Sequence, residues 1–144
     1  MRVVLDSNVW IDWLVFNDEG VASLKAAHRN GTVEIVIDDA CLGELAAVLA
    51  YPEFALDAER RLRLIADVRE HAQRQQPRLD APPATLPRCT DPDDQKFVEL
   101  AHAASAEWLV TRDKALIKLN RRTQRLGICV GTPAQWAAAL AVTA

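Results

Sequence analysis

Short apolar runs that read as buried strands alternate along this chain with longer stretches that read as helices. That alternation constrains the fold more than any other feature. The strand candidates are Val3-Val4-Leu5, Val33-Glu34-Ile35-Val36-Ile37, Trp108-Leu109-Val110-Thr111 and residues 126–130. Between them, residues 23–30 read as a helix stopped by Gly31. Asp38 or Asp39 caps a second helix with Leu42, Leu45, Ala46 and Leu49 as its stripe, ended by Tyr51-Pro52. Asp57 caps the longest one, with Leu62, Ile65, Val68 and Ala72 on one face. Residues 76–92 hold five of the seven prolines and read as a loop with an edge strand near Thr85-Leu86. Asp93 or Asp94 then opens a helix with Phe97, Leu100, Ala101 and Ala104 inward, a short helix spans 116–119, and Pro133 starts a last one through Trp136 and Leu140. Strands and helices in alternation give an α/β fold with a mainly parallel sheet covered on both faces. The 144 residues suit one domain, 1–144, with no internal repeat.

Charge and cysteine narrow the class further. Seventeen Lys+Arg against twenty Asp+Glu give a net charge of −3, which excludes nucleic-acid binding by bulk positive charge but not by a local basic face. Cys41, Cys89 and Cys129 are odd in number and far apart, so neither a disulfide scaffold nor a zinc site is indicated. Met1-Arg2-Val3-Val4-Leu5-Asp6 is no signal peptide, and no stretch approaches the ~18 apolar residues of a membrane span. The expected location is the cytoplasm.

In parallel sheets, ligands bind beyond the carboxyl ends of the strands. Asp6 ends the first apolar run there, and Asp113 follows the third. Glu44 and Asp94 fall near helix starts that reach the same rim, and Ser7 and Asn8 add a hydroxyl and an amide oxygen beside Asp6. Two like charges ~4 Å apart cost about 4 kcal/mol at an effective dielectric of 20, so four carboxylates need a cation. Hard oxygen ligands without His or Cys point to Mg²⁺ or Mn²⁺, and such a site suits phosphodiester cleavage by metal-activated water. Acids at helix starts are also ordinary caps, the role expected of Asp38, Asp57 and Asp93. Asp6, ending a wholly apolar strand, is the least readily explained that way.

The run Val4-Leu5-Asp6-Ser7-Asn8-Val9-Trp10-Ile11 resembles the opening of PIN-domain nucleases. Residues 43–52 resemble that family's second acid block, and Asp91-Pro92-Asp93-Asp94-Gln95-Lys96-Phe97 with Leu100-Ala101 resembles the third. Leu109-Val110-Thr111-Arg112-Asp113 resembles the fourth, and Thr132-Pro133-Ala134-Gln135-Trp136 the closing segment. The closest likeness is to the VapC-type toxins of toxin–antitoxin pairs, although Arg112 stands where that branch often has glycine. The resemblance implies a three-layer α/β/α fold and a Mg²⁺- or Mn²⁺-dependent endoribonuclease that dimerises and is held inactive by a cognate antitoxin. Carried over position by position, Asp6, Glu44, Asp94 and Asp113 hold the metal, and Ser7 and Asn8 support the first turn. Asp91, Asp93 and Asp94 compete for the third place. Asp94 is preferred because it leads directly into the Phe97 helix, with Asp91 in support.

Residues 112–125 carry Arg112, Lys114, Lys118, Arg121, Arg122 and Arg125 against the single acid Asp113, a local charge of +5. This is a candidate RNA track, and a solvated helix face is the alternative. Trp10, Trp13 and Phe16 read as core or a dimer face rather than as a base-stacking platform. His28, His71 and His102 fall outside every acid block, which argues against a metal-free mechanism with a histidine base. Two rival functions stay in view. A haloacid-dehalogenase-type phosphatase would use Asp6 as nucleophile but wants a second Asp where this chain has Asn8 and a Thr where it has Trp10. A non-catalytic PIN-like module would bind RNA or a partner without regard to chelators.

Overall fold

A computed structural model describes residues 1–77 and 79–143. Its strands are β1 (Arg2–Leu5), β2 (Glu34–Ile37), β3 (Ala72–Arg74), β4 (Trp108–Val110) and β5 (Cys129–Gly131). All pair in parallel, in the order β3-β2-β1-β4-β5. The helices are α1 (Ser7–Ile11), α2 (Ala22–Arg29), α3 (Asp39–Leu49), α4 (Ala58–His71), α5 (Gln95–Ala103), α6 (Lys114–Ile117), α7 (Asn120–Thr123) and α8 (Pro133–Thr143). They cover both faces of the sheet in a three-layer α/β/α sandwich. One group is α3 packed on α1, α4 and α5, with α5 against β1 and β4, and a second is α2 packed on α8, itself against β4. Because both faces are covered, the central strands are apolar without alternation: Val3, Val4, Leu5, Ile35, Val36, Ile37, Leu109 and Val110 are all buried. Among the described residues no helix is long and apolar enough to cross a membrane.

The strand order places a crevice. From β1 the chain winds outward through β2 to β3, then returns to lay β4 on the other side of β1. Connections leave β1 and β4 in opposite directions, and the gap at their carboxyl ends is where this class of sheet takes ligands. Asp6 follows β1 and Thr111 follows β4, in a register that pairs Leu5 with Val110. Backbone bonds carry the pairing to the rim, with Asp6 N–H donating to Val110 O at 3.0 Å and Thr111 N–H to Gly131 O at 2.8 Å.

The structure corrects several local expectations. The edge strand is Ala72–Arg74, paired with β2, whereas Thr85-Leu86 lie in a turn. Ala72 therefore leaves the helix rather than extending its stripe. In α4 the buried residues are Leu64 and Val68, and Leu62 is 71% exposed. Leu62 is two positions from Leu64, about 200° around a helix, so the two cannot share a face. Residues 124–126 form a 3-10 turn ended by Gly127 at φ 81, and β5 starts only at Cys129. Residues 12–16 continue α1 as a π-helical turn, closed by Asn17 in the left-handed region at φ 47.

Candidate active site

Asp6 occupies the N-cap position of α1 but makes no capping hydrogen bond with its side chain. It is 4% exposed, and its Oδ2 accepts instead from Thr111 Oγ1 at 2.6 Å. Capping does not explain this acid. Asp38 and Asp57 are different, since they accept from Cys41 N–H at 2.9 Å and Arg60 N–H at 2.7 Å, as their sequence positions suggest.

Thr111 is wholly buried and ties two acids together. Its hydroxyl donates to Asp6 and accepts the Asp113 N–H at 2.9 Å. Asp113 in turn caps α6 by accepting from Ala115 N–H at 2.8 Å with Oδ1. From the other side of the crevice, α3 presents Glu44, which is fixed at both oxygens. Ser7 Oγ donates to its Oε2 at 2.7 Å and Lys96 Nζ lies 3.3 Å from Oε1. Asn8 is exposed, and no hydrogen bond of its side chain is found among the described residues.

The acids of the third block differ in burial. Asp91 is exposed and accepts the Asp93 N–H at 3.0 Å, Asp93 is exposed as well, and only Asp94 turns inward. Asp94 stands at the N-cap of α5 without capping it. It is 9% exposed, and its buried Oδ2 has no hydrogen-bond partner.

Electrostatics bind the four carboxyls into one group. Burial pushes the Asp94 carboxyl up to about 8, helped by the facing Asp113 carboxyl and by the charges of Asp6 and Asp91. Asp6 is raised too, first by burial and then by Glu44 and Asp113, against the lowering from Thr111 and the Ser7 N–H. Among the described residues no group of three or more His, Cys, Asp or Glu side chains is already placed to hold a metal ion. The donor set nevertheless fits a hard divalent cation. It is all oxygen, mutually repulsive, and includes a buried oxygen with nothing to bond. The nearby thiols are poor ligands, since burial pushes both Cys41 and Cys89 above the usual thiol range.

Two neighbours were not anticipated from sequence. Lys96 supplies a positive charge at Glu44, and asking which cation offsets four acids would have pointed to it, two residues past Asp94. Thr111 is the hydroxyl two residues before Asp113, a place where a β-branched strand residue looks merely structural. Thr111→Val keeps the shape and strands the part-buried Asp113 N–H and the buried Asp6 oxygen. It is expected to cost about 1–3 kcal/mol in denaturant unfolding and about 10- to 100-fold in divalent-ion affinity. Unchanged values in both measurements would deny the hydroxyl its positioning role.

The basic segment divides. Arg112 Nε is held by Asp12 Oδ2 at 2.8 Å, while Lys114, Lys118, Arg121 and Arg122 are exposed. Trp10 and Trp13 are buried in the core as expected, and Phe16 is exposed beside Phe54. His28 and His71 pack on Trp13.

No characterised protein matches the chain significantly. The model of the PIN-domain family matches residues 2–115, a span that contains Asp6, Ser7, Glu44, Asp94, Lys96, Thr111 and Asp113. With most of its length matched and its acids gathered at the carboxyl ends of a parallel sheet, this chain belongs to the PIN-domain family, a metal-dependent nuclease fold.

Proposed function

We propose that the chain is a divalent-metal-dependent endoribonuclease and the toxin of a toxin–antitoxin pair. The observation that carries the reading is the buried, partnerless Oδ2 of Asp94 facing Asp113 and Asp6 at the sheet's switch point. Asp6, Glu44, Asp94 and Asp113 would hold the ion. A Mg²⁺ or Mn²⁺ ion held there would supply Lewis acidity and would lower the pKa of a water toward neutrality, the chemistry that phosphodiester hydrolysis needs.

The chain's own residues prepare the site. Thr111 fixes the orientation of Asp6, and Ser7 fixes that of Glu44. Lys96 offsets one negative charge and so limits the total repulsion. Asp91 caps the turn that delivers Asp94. Asn8 sits exposed beside them as a neutral oxygen donor. Lys114, Lys118, Arg121 and Arg122 follow Asp113 and attract the phosphates of the substrate, an interaction without sequence information. Arg112 braces the start of that segment through Asp12. A cytoplasmic setting, a homodimer and a cognate antitoxin complete the reading, and the likeness of the acid blocks to VapC-type toxins supports them.

The test is incubation of purified protein with a mixed pool of single-stranded and structured RNA, with Mn²⁺ or with EDTA. Endonucleolytic fragments in Mn²⁺ alone are expected. Tight RNA binding indifferent to EDTA and without cleavage would favour the non-catalytic module. For the toxin assignment, growth arrest on expression should be relieved by the product of an adjacent small open reading frame.

A further inference from the structure

A cleft of ≈ 490 Å³ lies between the proline-rich loop and the segment that joins β4 to β5. Its walls include Leu86, Pro87, Arg88, Arg122, Arg125 and Leu126, and no carboxylate lines it. Among the described residues, none of the ion pairs involves these three arginines. In a chain of net charge −3, three arginines thus line one cleft with no acid among its lining residues.

The arginines are held in place by their backbones. Gln95 brackets Arg88, accepting the Cys89 N–H at 2.6 Å and donating to Pro87 O at 3.1 Å. Arg122 and Arg125 are three positions apart, so their helical segment presents both on one side. That segment is anchored by the buried Thr123 and by Asn120 Oδ1, which accepts the Val130 N–H at 2.8 Å. Planar forks suited to phosphate oxygens thus flank an apolar floor of Leu86, Pro87 and Leu126.

We propose that this cleft grips the backbone of single-stranded RNA on one side of the scissile phosphate, an inference that rests on the nuclease reading above. Both walls lead to the candidate active site. Gln95, which sets Arg88, adjoins Asp94, and α6 starts directly after Asp113. Arg122 lies nine residues beyond Asp113, on the path through the two short helices α6 and α7. Lys114, Lys118 and Arg121 lie along that path. A strand whose scissile phosphate lies at the acids can run along these basic side chains into the cleft. The floor takes sugar and base faces without reading them.

The test is a variant with Arg88→Ala, Arg122→Ala and Arg125→Ala together. All three side chains are exposed, so the unfolding midpoint should match the parent. Binding of a fluorescent single-stranded RNA of roughly 15 nucleotides is measured in EDTA over a salt series. Affinity should fall about 10- to 100-fold, and the slope of log affinity against log salt should flatten by about 2, at ~0.7 per phosphate for single strands. In Mn²⁺ the variant should raise KM for the long RNA by a larger factor than it lowers kcat, and the loss should be smaller for a trinucleotide than for the long RNA. Parental affinity and slope would overturn the proposal, as would a polyglutamate peptide that binds through these arginines where RNA does not. Cleavage with no effect of the variant sinks the cleft alone. Loss of RNA binding in the variant, from a parent that does not cleave, sinks the nuclease reading and leaves the cleft standing.

Discussion

Asp94→Asn is expected to lower metal-dependent RNA cleavage at least about 100-fold, the scale of losing one group that acts on developing charge. Asp93→Asn should stay within about 0.5 kcal/mol of the parent in both rate and stability. The two acids are sequence neighbours in a block of three, and only their surroundings separate them. Asp93 is exposed to water on the turn that precedes α5, where its charge is screened. Asp94 is turned in beside Asp113 with an oxygen that finds no donor. An amide there keeps the volume, removes one negative charge, and replaces an acceptor oxygen with an NH₂ that cannot ligate a cation. The measurement is cleavage of the same RNA pool in Mn²⁺ by both variants, with unfolding curves to show that each is folded. Loss of activity in Asp93→Asn with retention in Asp94→Asn would reverse the register of the third block.

Much of this arrangement is legible in the sequence. The apolar runs around Val4, Val36 and Leu109 place three central strands, because buried parallel strands need no polar alternation. Asp6 stood out for the same reason, as a charge that ends such a run. Ambiguity began where one residue type serves two purposes. Asp38, Asp57, Asp94 and Asp113 all stand at helix starts, and sequence spacing does not tell a cap from an inward carboxyl. The structure divides them: Asp38 and Asp57 only cap, Asp94 does not cap, and Asp113 caps while facing Asp94. β3 was missed because a three-residue edge strand carries too little pattern, and Ala72 fits the end of the helical stripe as well as it fits a strand. Leu62 misled for a related reason. Its 62-65-68 spacing is helical, yet the face that α4 buries is decided by what lies against Leu64 and Val68. The roles of Thr111 and Lys96 depend on contacts across 105 and 52 residues of chain, which no local window contains.

The metal-free protein should lose stability as pH rises from about 5 to 8, opposite to the usual behaviour of ion-paired carboxylates. The Asp94 carboxyl sits at about 8 in the folded chain against 3.8 for the ordinary group. Between those values the folded state holds a proton that the unfolded state has released. The contribution is therefore complete below the unfolded value, falls by up to about 1.4 kcal/mol per pH unit through the window, and is gone above the folded one. Asp6, raised by burial, acts with the same sign. Asp39, lowered by its hydrogen bond from Arg74, acts oppositely, and because its value is lowered it does so only at and below the ordinary carboxylate range, outside this window. A divalent cation in the proton's place should restore stability at pH 8, by about 2.7 kcal/mol at 100 times its dissociation constant. At pH 5 the gain should be smaller, because the ion must first displace the proton. In Asp94→Asn the pH slope should flatten and the response to Mg²⁺ or Mn²⁺ should shrink. Denaturant unfolding at pH 5, 6.5 and 8, with EDTA or with the metal, reads all of this. Stability that climbs with pH in EDTA, or a variant that keeps the parental slope, would mean that Asp94 is not a buried, proton-holding carboxyl.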